Sequence, residues 1–315
     1  MRTHILHKTL YIIFTLLVLS SCKSELVPIG YQTKNVIIVV IDGPRYSETW
    51  GDPSHQYIPR LTNQLLQVGN INSQFYNNGP TYTNAGHTAI TTGNYQEINN
   101  SGAELPQNPS IFQHWIKTFS KDTLTAWVIA SKDKLEILSD CLDAELSGKH
   151  NPSTNCGVNG NGSGYRNDNI TYDKVIEVLT THRPQLVLIN FKEPDSSGHG
   201  NDWSGYTQGI MDTDEYAFQL WQFIENDPFY KGTTTLFITN DHGRHLDSVA
   251  DGFISHGDSC EGCQHINLYA YGPDFKKGQI LDIKREQIDI PATIAELLNF
   301  ELPKGKGEVM QELFK

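Results

Sequence analysis

Five short runs of apolar, mostly β-branched residues constrain the fold of this 315-residue chain more than any other feature. They are NVIIVVID (35–42), TLTAWVIA (123–130), PQLVLINF (184–191), TTTLFITN (233–240) and HINLYAYG (265–272). Such runs are typical of strands that are buried on both faces of a sheet. The intervening segments carry apolar residues at helical spacing, at 109–119, 168–182, 204–226 and 287–300. This alternation predicts an α/β fold: a doubly wound, mostly parallel sheet with helices on both faces, in a single domain over 35–315.

One segment interrupts the alternation of strands and helices. Residues 147–168 are rich in Gly, Asn and Ser and show no apolar period. We therefore predict that the stretch 141–168 is a loop or cap insertion near the edge of the sheet.

Acidic and imidazole side chains gather next to the predicted strands. They are Asp42, Asp195, His199, Asp241, His242 and, shortly before the last strand, His256. Taken singly, an Asp after a strand often caps a helix, and a His is more often structural than a ligand. Taken together they meet at the carboxyl edge of the sheet, where open α/β folds place their sites. Two sets of three mixed N/O ligands suit a pair of Zn²⁺ ions for phosphoryl transfer.

Five motifs resemble those of the alkaline phosphatase superfamily, in the same order and over roughly residues 35–300. They are VVIDG, TYTNAGHTAITTG, KEPDSSGHG, TNDHG and SHGDS. The resemblance is closest to the branch of nucleotide pyrophosphatase/phosphodiesterases, threonine-nucleophile zinc phosphomonoesterases and phosphonoacetate hydrolase. It implies an alkaline-phosphatase-like fold, two Zn²⁺ ions per chain, and hydrolysis of phosphorus esters.

The resemblance also implies roles for single residues. Thr83 lies four residues before His87 and ten before Gly93, the spacing of the family's nucleophilic threonine, whereas His87 is expected to be structural. One zinc site would be formed by Asp42, Thr83, Asp241 and His242, and the other by Asp195, His199 and His256. His265 competes with His256, which we favour because a His-Gly about 16 residues before Tyr-Gly-Pro fits the family pattern. His245 is expected to be an exposed loop residue.

Three further residues are predicted to bind the substrate. Lys132 and Lys134 resemble a cationic pair of the phosphonoacetate hydrolases and monoesterases, and diesterases of the branch lack this pair. The alternative is that these lysines belong to a solvated helix start. The family places an Asn about 21 residues after the nucleophile, where this chain has Glu104, and we assign the role to nearby Asn100.

These assignments favour a phosphohydrolase that cleaves monoesters or small phosphonates through a phospho-threonine intermediate. One alternative is a phosphodiesterase or nucleotide pyrophosphatase, and another is a catalytically dead lipoprotein that binds anions or glycans. The sulfatase motif C/S-x-P-x-R is absent at the position of Thr83, which disfavours sulfate esters. The net charge of −12 disfavours a nucleic-acid partner, so the expected partner is a small phosphorylated substrate.

The N-terminus reads as a bacterial export signal. Basic MRTHILHK precedes the apolar run TLYIIFTLLVLSSC, and LVLSSC resembles a lipobox. We predict a signal peptide over 1–21, a lipidated Cys22 that binds the membrane, and a polar tether over 22–34. The protein would face the periplasm or lie on the outer membrane.

Four cysteines remain after Cys22. An even number in an exported protein suggests disulfides, and local pairing would join Cys141 to Cys156 and Cys260 to Cys263. A zinc site of all four cysteines is the alternative, which the presence of only one Cys-x-x-Cys disfavours.

Overall fold

The computed structural model of this chain describes residues 30–315, of which Tyr31–Lys315 form one compact unit. The predicted signal peptide, Cys22 and most of the tether lie outside the described residues. The last tether residues are bound to the domain, because Thr33 Oγ1 donates to Asp274 Oδ2 at 2.6 Å. Within the described range, no helix has the length and apolar character needed to cross a membrane.

The predicted strands form the centre of one nine-stranded sheet. Its strands are β1 (Asn35–Asp42), β2 (Asn70–Tyr76), β3 (Ala126–Ala130), β4 (Ser153–Cys156), β5 (Leu186–Pro194), β6 (Thr234–Asn240), β7 (His265–Tyr271), β8 (Gln279–Leu281) and β9 (Arg285–Glu286). The order is β4-β3-β5-β1-β6-β7-β2-β8, and β9 pairs with β2. Among these strands β7 alone is antiparallel to its neighbours, β6 and β2. The prediction of a mostly parallel sheet is therefore confirmed.

Helices cover both faces of the sheet. They are α1 (Thr83–Thr92), α2 (Ile111–Phe119), α3 (Asp168–His182), α4 (Asp195–His199), α5 (Trp203–Asn226), α6 (Glu261–Gln264) and α7 (Asp289–Leu298). Successive side chains of β1 alternate between the faces: Val36 and Ile38 join the core under α1, α2 and α7, and Ile37 and Val39 join the core under α3 and α5. Each such buried side chain contributes roughly 1.5–3 kcal/mol. The doubly wound architecture follows from this two-sided burial.

The segment 141–168 contains an edge strand as well as loops. Its residues 153–156 form β4, which pairs in parallel with β3. Arg166 is buried at the end of the segment and donates to Thr171 Oγ1 at 3.0 Å and to Ala130 O at 3.2 Å. No apolar run marks this strand in the sequence, because STNC is polar and short.

The structure contradicts both predicted disulfides. All four cysteines in the described part carry free thiols. Cys156 ends β4 and packs into the core, where its Sγ donates to Val128 O at 3.7 Å and burial raises the pKa of the thiol to about 12. Cys141 is likewise fully buried. The number of cysteines alone does not show whether the fold brings two of them close enough to pair.

Candidate metal centre

The carboxyl ends of β1, β5 and β6 bring the predicted ligands to one edge of the sheet. Asp42 is the last residue of β1, Asp195 follows β5 directly, and Asp241 and His242 follow β6. His256 precedes β7, and because β7 runs in the opposite direction its start lies at this same edge. The structure thus brings together residues that the sequence spreads over more than 200 positions.

The first ligand set consists of Asp42, Asp241 and His242, all fully buried. His242 Nε2 lies 3.6 Å from Asp42 Oδ1 and 3.4 Å from Asp241 Oδ2. The other ring nitrogen, Nδ1, donates to the Gly243 carbonyl at 2.9 Å, which leaves the lone pair of Nε2 facing the carboxylates. Burial lowers the pKa of His242 to about 3, so the ring is neutral and available as a ligand.

The second predicted ligand set is Asp195, His199 and His256, and His242 also offers a nitrogen within 4.8 Å of Asp195 and His256. Asp195 Oδ1 lies 3.4 Å from His199 Nε2 and 3.3 Å from His256 Nε2, and the two Nε2 atoms are 3.1 Å apart. A zinc ion with tetrahedral N and O ligands separates them by about 3.3 Å. His256 Nδ1 donates to Thr81 O at 2.7 Å, which fixes its tautomer. The His256 ring stacks on His242 with centroids 3.7 Å apart, so the two sets adjoin.

The first set contains buried polar atoms that a cation would satisfy. Asp241 Oδ2 and His242 Nε2 are buried and make no hydrogen bond, whereas Asp42 Oδ1 lies 2.9 Å from the Lys132 ammonium. A buried polar atom without a partner costs about 1–3 kcal/mol. Because these atoms face one another and offer mixed O and N donors, the residues fit a divalent transition metal such as zinc.

Lys132 lies between the two sets. Its Nζ donates to Asp195 Oδ2 at 2.6 Å and to Thr83 Oγ1 at 3.1 Å, and it forms an ion pair with Asp42 Oδ1 at 2.9 Å. The side chain is 2% exposed. Burial lowers the pKa of Lys132, but Asp195 and Asp42 outweigh it and raise the pKa above its usual value. Burial raises the pKa of Asp195 and the Lys132 ammonium holds it well below its usual range, so this pair is ionised.

Thr83, the predicted nucleophile, is the first residue of α1 and is buried beside Lys132. The helix N-terminus therefore faces the site, a position that favours anions. His87, one turn later, donates from Nδ1 to the Thr83 carbonyl at 2.8 Å and lies 3.3 Å from Asn190 Nδ2. This arrangement agrees with the expectation that His87 is structural.

Lys134 and Asn100 lie at the same helix start. Lys134 Nζ donates to Asn100 Oδ1 at 3.1 Å, and that oxygen also accepts from the backbone N–H of Asn84 at 3.0 Å. Burial and the neighbouring Lys132 lower the pKa of Lys134 to about 8. Glu104, which holds the family's Asn position, accepts from the Asn99 backbone at 2.7 Å. Glu104 thus stabilises the loop that carries Asn100.

The structure adds Arg244, a residue that the sequence analysis did not single out. This fully buried guanidinium bonds to Asp195 and to the carbonyls of Phe253 and Ile254. It joins a ligand to the segment that carries His256. Its place in NDHGRH, three residues after Asp241, was the only signal that could have found it.

Two histidines outside the ligand sets have distinct roles. His265 is held away from the centre: its ring stacks on Tyr46 and Tyr76 with centroids 3.7 and 4.6 Å away, and its Nε2 donates to Ser73 O at 2.8 Å. This placement supports the choice of His256 over His265. His245 was predicted to be exposed, and this prediction is wrong, because the residue is only 6% exposed.

Solved structures with the same fold include two enzymes named for phosphorus chemistry. The phosphonate monoester hydrolase from Silicibacter pomeroyi is 13% identical, with a TM-score of 0.67 over 89% of this chain and 76% of that one. Murine ectonucleotide pyrophosphatase/phosphodiesterase 5 is 17% identical, with a TM-score of 0.63 over 89% of this chain and all of that one. An inactive threonine-to-alanine variant of the murine protein in complex with AMP has the same TM-score and identity over 90% of this chain and all of that one. At these identities the similarity shows the fold alone.

The family follows from the sequence match itself. The model of the Metalloenzyme superfamily matches residues 34–302, which include every strand of the sheet and both ligand sets. The chain therefore belongs to the Metalloenzyme superfamily, with an alkaline-phosphatase-like fold.

Proposed function

We propose that this protein hydrolyses phosphate monoesters or small phosphonates, with Thr83 as the nucleophile and two Zn²⁺ ions as cofactors. The observation that carries the proposal is the position of Thr83 Oγ1 at a helix N-terminus, in contact with Lys132, whose ammonium also reaches both ligand sets. A hydroxyl, an anion-binding helix start and buried cation ligands thus converge on one point. This combination is suited to displacement at phosphorus.

We expect the hydrolysis to proceed in two steps at Thr83. With a phosphate monoester, Thr83 Oγ1 attacks phosphorus and loses its proton to solvent, and the P–O bond to the leaving alkoxide breaks. The alkoxide takes up a proton from solvent and leaves as the alcohol, and the product is phospho-threonine. Water then attacks the same phosphorus, restores the Thr83 hydroxyl and releases phosphate. The positive end of the α1 dipole and the cation of Lys134 would face the phosphoryl oxygens, while the N–H of Asn84 stays bound to Asn100 Oδ1.

The two ligand sets would hold the metal ions: Asp42, Asp241 and His242 together with the Thr83 hydroxyl would bind one, and Asp195, His199 and His256 would bind the other. When bound, such ions lower the pKa of a hydroxyl and stabilise the attacking and leaving oxygens of an in-line displacement. Because the first set is buried, its imidazole stays neutral, and water does not compete with a metal ion for its carboxylates. Both sets are complete, which disfavours the catalytically dead alternative.

A phosphodiesterase is the second candidate function. Lys132 already contacts the carboxylates of Asp42 and Asp195, so only Lys134 is available for the additional charge of a monoester. The murine neighbour is named as a pyrophosphatase/phosphodiesterase and was solved with AMP. We expect Lys134→Met to weaken monoester hydrolysis more than diester hydrolysis if monoesters are the substrates.

The test compares p-nitrophenyl phosphate, bis-p-nitrophenyl phosphate and a p-nitrophenyl phosphonate on zinc-loaded and chelated protein. Thr83→Ala should lower activity by roughly 10³-fold or more. Thr88→Ala is the matched control, because Thr88 Oγ1 lies on the same helix, is buried and has no hydrogen bond. Mass spectrometry after an acid quench should find phosphate on Thr83. Activity that survives Thr83→Ala, or that chelation leaves unchanged, contradicts the proposal.

A further inference from the structure

A second group of metal-ligating side chains lies apart from the two ligand sets. Its members are His245, Asp258, Cys260 and Cys263, which we call the cysteine cluster. One ligand atom from each of the four lies within 4.8 Å of the others. None of these residues belongs to the candidate metal centre. The geometry points to a third metal site here, a structural zinc site with two thiolate ligands.

The backbone brings the two thiols and the carboxylate together. α6 is a single turn in which Cys263 N donates to Cys260 O at 3.0 Å, and a Cys-x-x-Cys on one turn presents both sulfurs to the same side. Asp258 Oδ1 accepts from Cys260 N at 2.9 Å. The other oxygen, Oδ2, therefore remains to face His245 Nε2, 3.2 Å away.

His245 is oriented as a metal ligand needs. Its Nδ1 donates to Asp251 Oδ1 at 3.0 Å, and its Nε2 points into the cysteine cluster, where it contacts Asp258 Oδ2 at 3.2 Å and would offer its lone pair to a metal. Asp251 Oδ1 is itself fixed by the hydroxyl of Ser255 at 2.5 Å. A carboxylate that orients the far nitrogen of a ligand histidine is a recurring feature of zinc sites.

The donor set and its dimensions suit zinc. Four ligands, two sulfurs, one nitrogen and one oxygen, match a tetrahedral structural site, and thiolates select zinc over magnesium or calcium. Zinc ligand distances of about 2.0–2.3 Å place neighbouring ligand atoms roughly 3.3–3.8 Å apart. The 3.2 Å between His245 Nε2 and Asp258 Oδ2 is close to this range, and both thiols are free in the structure.

The cysteine cluster closes the segment that carries His256. His245 and Cys263 bracket this segment, and Asp258 lies two residues after His256. Thr81 Oγ1 donates to Asp258 O at 2.8 Å, and Thr81 O accepts from His256, so the cluster and the ligand share one anchor. A metal in the cluster would therefore act as a positioning device for His256 without touching the substrate.

Cobalt substitution tests the site directly. The full chain, reduced and loaded with Co²⁺, should show a near-ultraviolet thiolate-to-cobalt charge-transfer band, because neither catalytic ligand set contains a sulfur. Cys260→Ser and Cys263→Ser should each weaken or remove the band, and metal analysis should find one ion fewer per chain in the double variant. Cys141→Ala should leave the band unchanged. Asp251→Asn should keep the band but lower metal affinity roughly 10–100-fold.

Two outcomes overturn the inference. One is a reduced, cobalt-loaded wild-type protein without the charge-transfer band. The other is a protein isolated with a Cys260–Cys263 disulfide in which reduction of that bond adds no further metal ion per chain. The spectrum of the wild-type protein is by itself a test of the site, so the conclusion does not depend on whether a variant folds. The result is separate from the proposed function, since phospho-threonine formation at Thr83 does not depend on the presence of sulfur ligands.

Discussion

Replacing Lys132 with methionine separates the electrostatic role of this side chain from its packing. Methionine keeps the length and apolar stem but removes the ammonium that contacts Asp42, Asp195 and Thr83 at 2.6–3.1 Å. Removing one partner of a buried ion pair costs about 3–5 kcal/mol, because the remaining charge stays in a low-dielectric site. We expect metal-free Lys132→Met to lose this amount of unfolding free energy at pH 8.

For a domain of this size, that loss corresponds to a fall in melting temperature of roughly 5–8 °C. Divalent ions bound by Asp42 and Asp195 would supply the missing positive charge. The difference between variant and wild type should then narrow to about 1 kcal/mol or less with saturating Zn²⁺, because ligands of the folded state stabilise it by linkage. The variant should thus gain more stability from zinc than the wild type does.

The assay is urea unfolding followed by circular dichroism, with chelator and with Zn²⁺. Lys134→Met is the matched control, since Lys134 Nζ donates to the neutral amide oxygen of Asn100 and should cost no more than about 1 kcal/mol. Equal destabilisation of Lys132→Met with and without zinc would refute the reasoning. So would a Lys132→Met variant as stable as the wild type without metal.

Three further changes test other parts of the structure. Gly86→Ala should reduce stability by about 1–3 kcal/mol and lower activity, because a Cβ there would lie 2.4 Å from Asp241 O and must shift α1; unchanged unfolding curves would contradict this. His256→Ala should lower the metal content per chain whereas His265→Ala should not, and elemental analysis that finds the opposite would reverse the assignment. Burial lowers the pKa of His114, so as the pH falls the unfolded chain protonates this imidazole before the folded chain does. The contribution of His114 to the unfolding free energy should therefore be fully present above about pH 6.5 and should decline as the pH falls. His114→Gln should make the decline of unfolding free energy with falling pH less steep in urea unfolding; an equally steep decline in wild type and variant would contradict this role.

The sequence predicts best those strands whose burial needs no polar partner. β1 matches its predicted run at both ends because its apolar side chains enter the two cores. β2 was missed because Asn70 and Asn72 are buried in it. Their side-chain amides donate to Lys276 O at 2.7 Å and to Ile283 O at 2.8 Å, acceptors that lie about 200 positions away in the chain. No local pattern could reveal that such polar residues would be satisfied inside a sheet.

For the candidate site, short motifs identified the candidate ligands that the structure brings together, but not the side chains that surround them. Asp42 and Asp241 follow from their positions at strand ends. Lys132 was expected to face the substrate, and its contacts with the protein's own carboxylates depend on three elements meeting in space. The cysteine cluster was missed because the burial of His245 depends on a fold that brings it to α6.

The reversed direction of β7 determines which part of the chain borders the mouth of the site. Parallel strands place the residues that follow them at this edge, whereas β7 places there the residues that precede it, so the connection from β6 to β7 (241–264) both begins and ends at the site. The two ends of this connection are fixed by the contacts of His245, His256 and Asp258, but residues 247–251 in its middle are exposed, so insertions there would extend outward without disturbing the sheet. Added length that changes what the pocket accepts is therefore best accommodated at the exposed residues 248–250, which lie apart from the contacts that hold His245 and His256.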